Sequence, residues 1–242
     1  MKKLFNLCIF IILISTVNAQ KTVYFTTSDG VKITADLYMT ANNSAPFILL
    51  YHQAGYSRGA YRNIAPKLNE LGFNCMAIDQ RSGKEVNGVV NETFLAAEKL
   101  QKPTEYSDAI ADMEAAYQYV KLGIKPQKII VWGSSYSAAI TFFLASKHYS
   151  GINAILAFSP GEYFKINGKE IKSYAARVTC PVFITSAKDE YNQWQNIYKA
   201  VKTKKQYFLP DEKGRHGSKA LWQDNSNHEA YWQAVKQFLM KV

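Results

Sequence analysis

The feature that most constrains the fold is a series of short apolar runs separated by helical patterns. Residues 47–51, 74–78 and 128–132 are mostly apolar and show no alternation with polar residues. This is typical of strands buried on both faces. Residues 61–71 and 135–148 carry apolar side chains at helical spacing. Strands that alternate with helices in this way predict a mostly parallel sheet with helices on both faces.

The remaining segments extend this α/β pattern over the chain. Residues 21–27 and 31–39 are alternating strand-like segments, joined by the turn Ser28-Asp29-Gly30, and predict an N-terminal antiparallel hairpin. Further strands are predicted at 153–158, 181–185 and 206–209, helices at 106–122, 192–201 and 228–240, and a polar loop at 79–104. We therefore expect a sheet of about eight strands. Since no linker or repeat divides residues 20–242, we expect one domain there.

Residues 1–19 have the layout of a secretory signal peptide. Lys2 and Lys3 form a basic start, residues 4–17 are largely apolar, and Ala19 precedes the expected cleavage point. The alternative is a retained membrane anchor, but the apolar run is shorter than the roughly 20 residues that a spanning helix needs. We expect an exported protein, periplasmic or secreted, with no stable membrane insertion after cleavage.

Composition argues against several classes of function. The formal net charge is +10, but the basic residues are scattered and form no nucleic-acid-binding module, so we expect no nucleic-acid partner. No Cys/His cluster has zinc-type spacing, and no glycine-rich phosphate loop follows a strand. Cys75 and Cys180 each lie in an apolar run, which favours two buried thiols over a disulfide.

The segment after the 128–132 run contains a candidate nucleophile. Gly133-Ser134-Ser135-Tyr136-Ser137 resembles the pattern G-x-S-x-G, in which a strained strand-to-helix turn presents a serine above the sheet. Ser135 is the predicted nucleophile, and Ser137 replaces the second glycine. The alternative is that Ser135 only caps the following helix.

An acid and a base follow later strands. Asp189 comes after the 181–185 strand, with Glu190 as its adjacent alternative, and His216 lies in a glycine-flanked loop after the last strand. Because carboxyl ends of parallel strands meet at one edge of a sheet, Ser135, Asp189 and His216 are expected to converge there. An acid in this position orients and stabilises an imidazolium. Glu162, after the 153–158 strand, is a weaker substitute for the acid.

The loop after residues 47–51 is a candidate oxyanion-binding loop. Its sequence is His52-Gln53-Ala54-Gly55. We predict that the N–H groups of Ala54 and Tyr136 form an oxyanion hole, with Gln53 as the alternative to Ala54. His52 is predicted to shape this loop. It is not the predicted base.

These motifs resemble the α/β-hydrolase family, particularly its small dienelactone-hydrolase-like and prolyl-oligopeptidase-like members. The matching pieces are 52–55, 77–81, 133–137, 186–191 and 216–217. The resemblance covers essentially all of residues 20–242 and implies a Ser-Asp-His triad, an acyl-enzyme, and no cofactor or metal. Gln53 and Ser137 depart from the family pattern, in which glycine is common at both positions.

The resemblance implies hydrolysis of a small-molecule carboxylic ester or thioester, with an amide less favoured. The connection 160–179 is too short for a large lid, and we expect aromatic side chains to line the substrate pocket: Tyr56, Tyr163, Phe164 and Tyr191. Two alternatives remain at this point. One is a catalytically impaired member of the fold that binds an envelope ligand, and the other is an acyltransferase with the same triad.

Overall fold

The computed structural model describes residues 20–242, and its centre is an eight-stranded sheet. Its strands are β1 (Gln20–Thr26), β2 (Lys32–Tyr38), β3 (Phe47–Tyr51), β4 (Asn74–Ile78), β7 (Ile129–Ser134), β8 (Ala154–Phe158), β9 (Val182–Thr185) and β10 (Lys205–Phe208). A separate hairpin joins β5 (Glu85–Val86) to β6 (Val89–Val90). The predicted signal peptide lies outside the described residues, and its cleavage stays a prediction.

The spatial order of the sheet is β1-β2-β4-β3-β7-β8-β9-β10. The β1–β2 and β2–β4 pairs are antiparallel, and all later pairs are parallel. The predicted fold is therefore confirmed, including the N-terminal hairpin. A parallel sheet of this kind brings the loops that follow β3, β7, β8, β9 and β10 to one edge.

Seven α-helices connect and cover the strands of the described chain. They are α1 (Ala65–Glu70), α2 (Glu92–Lys99), α3 (Ala109–Tyr119), α4 (Tyr136–Lys147), α5 (Ile171–Ala175), α6 (Tyr191–Ala200) and α7 (His228–Leu239). Every residue of β3, β4, β7 and β8 is buried, and two apolar clusters pack on opposite faces of the sheet. This explains why those strands read as continuous apolar runs. No helix within residues 20–242 is both long and apolar enough to cross a bilayer.

The segment predicted as a polar loop at 79–104 contains the β5–β6 hairpin and α2. The side chain of Asn91 caps α2 by accepting a hydrogen bond from the Phe94 amide at 2.8 Å. These elements are short, and apolar Val90 and Leu95 are exposed, so neither a strand period nor a helical period is visible in the sequence. The short helix α5 was also missed.

Two buried arginines hold the loop that follows β4. The Arg58 guanidinium contacts Asp79 at 2.6 Å, and Arg81 contacts Asp112 at 2.8 Å and Asp29 at 2.7 Å. Both arginines are less than a tenth exposed. The backbone on either side of residue 80 is therefore tied to neighbouring elements by hydrogen-bonded charge pairs, which are costly to break when buried.

Candidate active site

Ser135 stands at the sharp turn between β7 and α4. Its backbone has φ 61° and ψ −123°, a conformation that non-glycine residues rarely adopt. The Ser135 N–H donates to the Phe158 carbonyl at 2.7 Å, which holds the turn against the end of β8. Its side chain is partly exposed, whereas the residues on either side are buried. This strained backbone is the shape that the G-x-S-x-G turn requires, and helix capping does not explain it, because Ser135 makes no side-chain cap.

Two residues flanking Ser135 show why the turn can form. A Cβ on Gly133 would lie 2.5 Å from the backbone N and Cα of Ala138, so only glycine fits there. Ser137 is fully buried, and its hydroxyl lies 2.9 Å from the carbonyls of Tyr51 and Ser134. The Ser137 hydroxyl also accepts from the Ser134 N–H at 2.9 Å. The serine that replaces the family glycine therefore joins α4 to β3 and β7.

His216 pairs with Glu190 and not with Asp189. The distance from His216 Nδ1 to Glu190 Oε1 is 2.5 Å. The residues after β9 form a 3-10 turn, Lys188–Glu190, which leaves Asp189 exposed and directs the next side chain inward. The assignment of Asp189 as the partner of His216 is therefore wrong. Glu190, the adjacent alternative, is the carboxylate that contacts His216. Sequence position alone cannot separate two neighbouring acids on a turn.

The Glu190 carboxylate is held by three groups. Besides His216, Ser159 Oγ donates to Oε2 at 2.6 Å and the Ala187 N–H donates to the same oxygen at 3.1 Å. Burial by itself raises the pKa of Glu190, but the hydrogen bonds from His216 and Ser159 outweigh burial and hold that pKa below its ordinary value. Glu190 is therefore an anion beside the imidazole.

The other acidic candidate, Glu162, is committed elsewhere. Its carboxylate accepts from the backbone N–H groups of Ile171 at 2.5 Å and Lys172 at 2.8 Å. Glu162 thus accepts hydrogen bonds from the backbone N–H groups at the amino end of α5 and is not bonded to His216. The weaker substitute for the triad acid is excluded by this geometry.

The segment that carries His216 is fastened to β7 and β8. The Gly217 N–H donates to Ser159 Oγ at 2.8 Å, and the Ser218 N–H donates to Ser134 Oγ at 2.9 Å. Gly217 has φ 67°, and a Cβ there would lie 2.6 Å from Gln53 Oε1. The residue before Ser135 is therefore hydrogen-bonded to Ser218, two residues after His216, which brings the predicted nucleophile and the predicted base to the same edge of the sheet.

The predicted oxyanion donors lie on the two turns that flank this edge. Within residues 20–242, the N–H groups of Ala54 and Tyr136 have no protein acceptor. The N–H of Gln53, the alternative donor, likewise has no protein acceptor among these residues, and the Gln53 carbonyl accepts from His52 Nδ1 at 2.8 Å and from the Tyr56 N–H at 3.2 Å. Two free amides at a strand–helix turn and a neighbouring loop are what an oxyanion hole requires.

His52 is buried beneath that loop. Burial lowers its pKa to about 4, although hydrogen bonds with the Gln53 and Gln80 backbone act in the opposite direction. The imidazole is therefore neutral at ordinary pH, with no exposed nitrogen. This agrees with its predicted role in shaping the loop.

Some of the predicted pocket aromatics gather near Ser135. The Tyr163 hydroxyl donates to the Ser159 carbonyl at 2.8 Å, and burial raises the pKa of Tyr163 to about 12 although its proximity to the Ser135 side chain opposes this. Phe164 faces Tyr106 with ring centroids 6.1 Å apart. Tyr106 stacks on Tyr136 at 4.8 Å; the sequence predicted it only as the first residue of the 106–122 helix, which begins at Ala109.

The other two predicted pocket residues have different neighbours. Tyr56 lies parallel to Trp222 with centroids 6.1 Å apart, next to the loop that carries His216. Tyr191 packs against Trp194 at 4.9 Å and Tyr207 at 6.2 Å, in an aromatic cluster between α6 and β10.

Cys75 and Cys180 are buried free thiols. Within the described chain, no three His, Cys, Asp or Glu side chains are grouped to hold a metal ion.

A family model described as serine aminopeptidase S33 matches residues 42–208. The chain belongs to this family of serine hydrolases. A comparison with curated proteins finds no match for this S33-family hydrolase.

Solved structures similar to this S33-family hydrolase share its α/β-hydrolase fold. Dienelactone hydrolase from Anabaena variabilis is 14% identical with a TM-score of 0.72, covering 92% of this chain and 97% of that one. An esterase from Pyrococcus furiosus is 19% identical with a TM-score of 0.69, covering 92% and 91%. Est1E from Butyrivibrio proteoclasticus, with ferulic acid bound, is 16% identical with a TM-score of 0.71, covering 90% and 98%.

Proposed function

We propose that this S33-family hydrolase cleaves small carboxylic esters through a Ser135–His216–Glu190 triad. The observation that carries the proposal is the strained Ser135 turn at the sheet edge that also holds the 2.5 Å pair between His216 and Glu190. A serine hydroxyl, an imidazole and an oriented carboxylate are the three groups that acyl transfer needs. Glu190 takes the place of Asp189, the acid predicted from the sequence.

In the proposed mechanism, His216 acts first as a base. Its Nδ1–H is held by Glu190, so Nε2 is free to take the Ser135 proton as Oγ attacks the ester carbonyl carbon. The carbonyl oxygen becomes an anion that the Ala54 and Tyr136 N–H groups stabilise, and one such donor is worth about 3 kcal/mol. The carbon–oxygen bond to the alcohol then breaks, and His216 returns the proton to the departing alcohol.

Water completes the proposed cycle. His216 takes a proton from the water as its oxygen attacks the acyl carbon of the ester on Ser135. The bond to Ser135 Oγ breaks, the proton returns to the serine, and a carboxylic acid leaves. The triad residues perform this sequence with no redox change.

The side chains near Ser135 offer apolar contact for a small ester, and two carboxylates near the site are already paired. An aminopeptidase needs a carboxylate free to bind the substrate ammonium group. Both oxygens of Glu162 bond to the amino end of α5, and those of Glu190 bond to His216 and Ser159. Aromatic rings, including Tyr106 and Tyr163, stand near Ser135. They offer contact to an apolar acyl or alkyl group.

Hydrolysis of p-nitrophenyl acetate and butyrate tests the proposal. We expect the full-length protein to release p-nitrophenol at a saturable rate, and Ser135→Ala to abolish it. Ser146→Ala is the matched control, because Ser146 is a buried serine in α4 that bonds only to the Phe143 carbonyl. Equal rates for Ser135→Ala and wild type, or no hydrolysis of any ester by folded wild-type protein, would contradict the proposal.

We also propose that residues 1–19 direct export and are removed. The basic start and short apolar run support this. The intact mass of protein recovered from envelope and medium fractions tests it, because cleavage predicts a chain that begins at Gln20. Recovery of the uncleaved chain from the cytosol would contradict export.

A further inference from the structure

Gln80 lies beneath the candidate oxyanion hole without being part of the proposed triad. It is fully buried in the loop after β4. Its side-chain oxygen accepts from the His52 N–H at 2.7 Å, and its side-chain nitrogen donates to the Tyr136 hydroxyl at 2.9 Å. One amide therefore contacts both turns that carry the candidate oxyanion donors.

The contact with His52 is reciprocal. The Gln80 backbone N–H donates to His52 Nε2 at 2.9 Å, so the imidazole proton is on Nδ1 and donates to the Gln53 carbonyl at 2.8 Å. Burial, which lowers the pKa of His52 to about 4, keeps this tautomer neutral. The peptide unit immediately before Ala54 is thus held by a chain of hydrogen bonds that begins at Gln80.

The contact with Tyr136 reaches the second donor. Tyr136 follows the nucleophile, its N–H is the other predicted oxyanion donor, and its ring is buried beneath Tyr106. The ring is therefore fixed by stacking on one face and by the hydrogen bond from Gln80 at its hydroxyl.

We propose that Gln80 is a positioning residue that sets the separation of the Ala54 and Tyr136 N–H groups around the reacting oxygen. This inference rests on the proposed function. An oxyanion donor is effective only when it lies at hydrogen-bond distance from the developing charge, so a small displacement of either turn lowers the rate. Gln80 acts through His52 and Tyr136 and does not touch the substrate.

Glutamine is suited to this position because one end must accept and the other must donate. Asn91 Nδ2 donates to the Gln80 carbonyl at 2.8 Å and thereby fixes the backbone from which the side chain extends. An apolar residue would leave the His52 N–H without its acceptor in a buried place, and asparagine is one methylene shorter. Both changes are expected to let the loop before Ala54 relax away from the elbow.

The test compares Gln80→Met, Tyr136→Phe and the double variant with wild type on p-nitrophenyl butyrate. Gln80→Met should lower kcat roughly 10- to 30-fold with KM unchanged, and Tyr136→Phe should lower it roughly 3- to 10-fold. The double variant should be no slower than Gln80→Met, because both changes remove the hydrogen bond between Gln80 and the Tyr136 hydroxyl. Affinity for an alkyl boronate, which forms a tetrahedral adduct with the serine, should weaken in parallel with kcat.

Asn69→Leu is the matched control for loss of a buried amide. Asn69 Nδ2 donates to the Tyr38 carbonyl at 3.2 Å and the Phe73 carbonyl at 2.7 Å, on α1 beside the amino end of β4. We expect it to lower the melting temperature while leaving kcat and boronate affinity within about twofold of wild type.

The outcomes separate this inference from the proposed function. If wild type hydrolyses the ester but Gln80→Met and Tyr136→Phe keep kcat and boronate affinity within twofold, the positioning role is wrong and the function stands. If Gln80→Met does not fold, Tyr136→Phe decides the question by the same measurements. If folded wild type has no activity, the proposed function fails and this inference fails with it.

Discussion

Glu190→Gln is the substitution that most sharply tests the assignment of the acid. The change keeps the size of the side chain but removes the negative charge 2.5 Å from His216 Nδ1. An amide can also turn its NH₂ group towards the ring, which favours the wrong tautomer and places a proton on the nitrogen that must act as base. Activity should fall while the fold persists.

The size of the expected loss of activity depends on how exposed the His216–Glu190 pair is. The acid of a buried triad contributes up to about 10⁴-fold to the rate. The His216 side chain is 31% exposed and that of Glu190 is 13% exposed, so solvent screens part of this interaction. We expect kcat/KM to fall roughly 10³-fold, which corresponds to about 4 kcal/mol.

Asp189→Asn is the control for this substitution, because Asp189 is the neighbouring acid and is exposed. Its kcat/KM should stay within about twofold of wild type, as is usual for an exposed position away from specific contacts. The assay is p-nitrophenyl acetate hydrolysis, with circular dichroism to confirm folding. A larger loss for Asp189→Asn than for Glu190→Gln, or a loss below tenfold for Glu190→Gln, would refute the assignment.

Two further predictions concern the elbow and the pH dependence. Ser137→Gly restores the family residue, yet it should lower the free energy of unfolding by about 1–3 kcal/mol, because the hydroxyl that bonds to the Tyr51 and Ser134 carbonyls is lost. Urea unfolding measures this change, and unchanged or higher stability would contradict the prediction. On acidification, kcat/KM should fall with a slope of one, because the proposed mechanism needs a single unprotonated base. The pKa of Glu190 is held below its ordinary value, so Glu190 stays ionised across that limb; a slope of two or a flat profile down to pH 4 would count against the triad.

The fold could be predicted because its core strands are buried on both faces. β3 and β4 were predicted at their observed bounds, since a continuous apolar run bounded by polar residues leaves little freedom in where the strand begins and ends. The helix predicted at 61–71 is shorter, with a 3-10 turn at Arg58–Tyr61 before α1 begins at Ala65. The β5–β6 hairpin and α2 depend on tertiary contacts that no local pattern reveals, such as the bond from Arg58 to the Val90 carbonyl and the bond from the Glu92 N–H to Asp79.

The candidate site could be located from sequence but not completed from it. The serine, the base and the oxyanion loop were predicted because each follows a predicted strand, and the structure brings Ser135 and His216 to one edge. The acid was misassigned by one residue because the 3-10 turn at Lys188–Glu190 decides which carboxylate faces inward. Ser159 and Gln80 were missed, although Ser159 directly follows β8 and Gln80 lies two residues after β4, since a neutral polar side chain has no distinctive spacing.

Active-site labelling tests whether Ser135 is the nucleophile. The full-length protein is treated with a fluorophosphonate, and the modified peptide is mapped by mass spectrometry. We expect one adduct, on Ser135, that is absent from Ser135→Ala and slow to form in Glu190→Gln. An adduct on Ser134 or Ser137, or folded wild-type protein that takes no label, would contradict it.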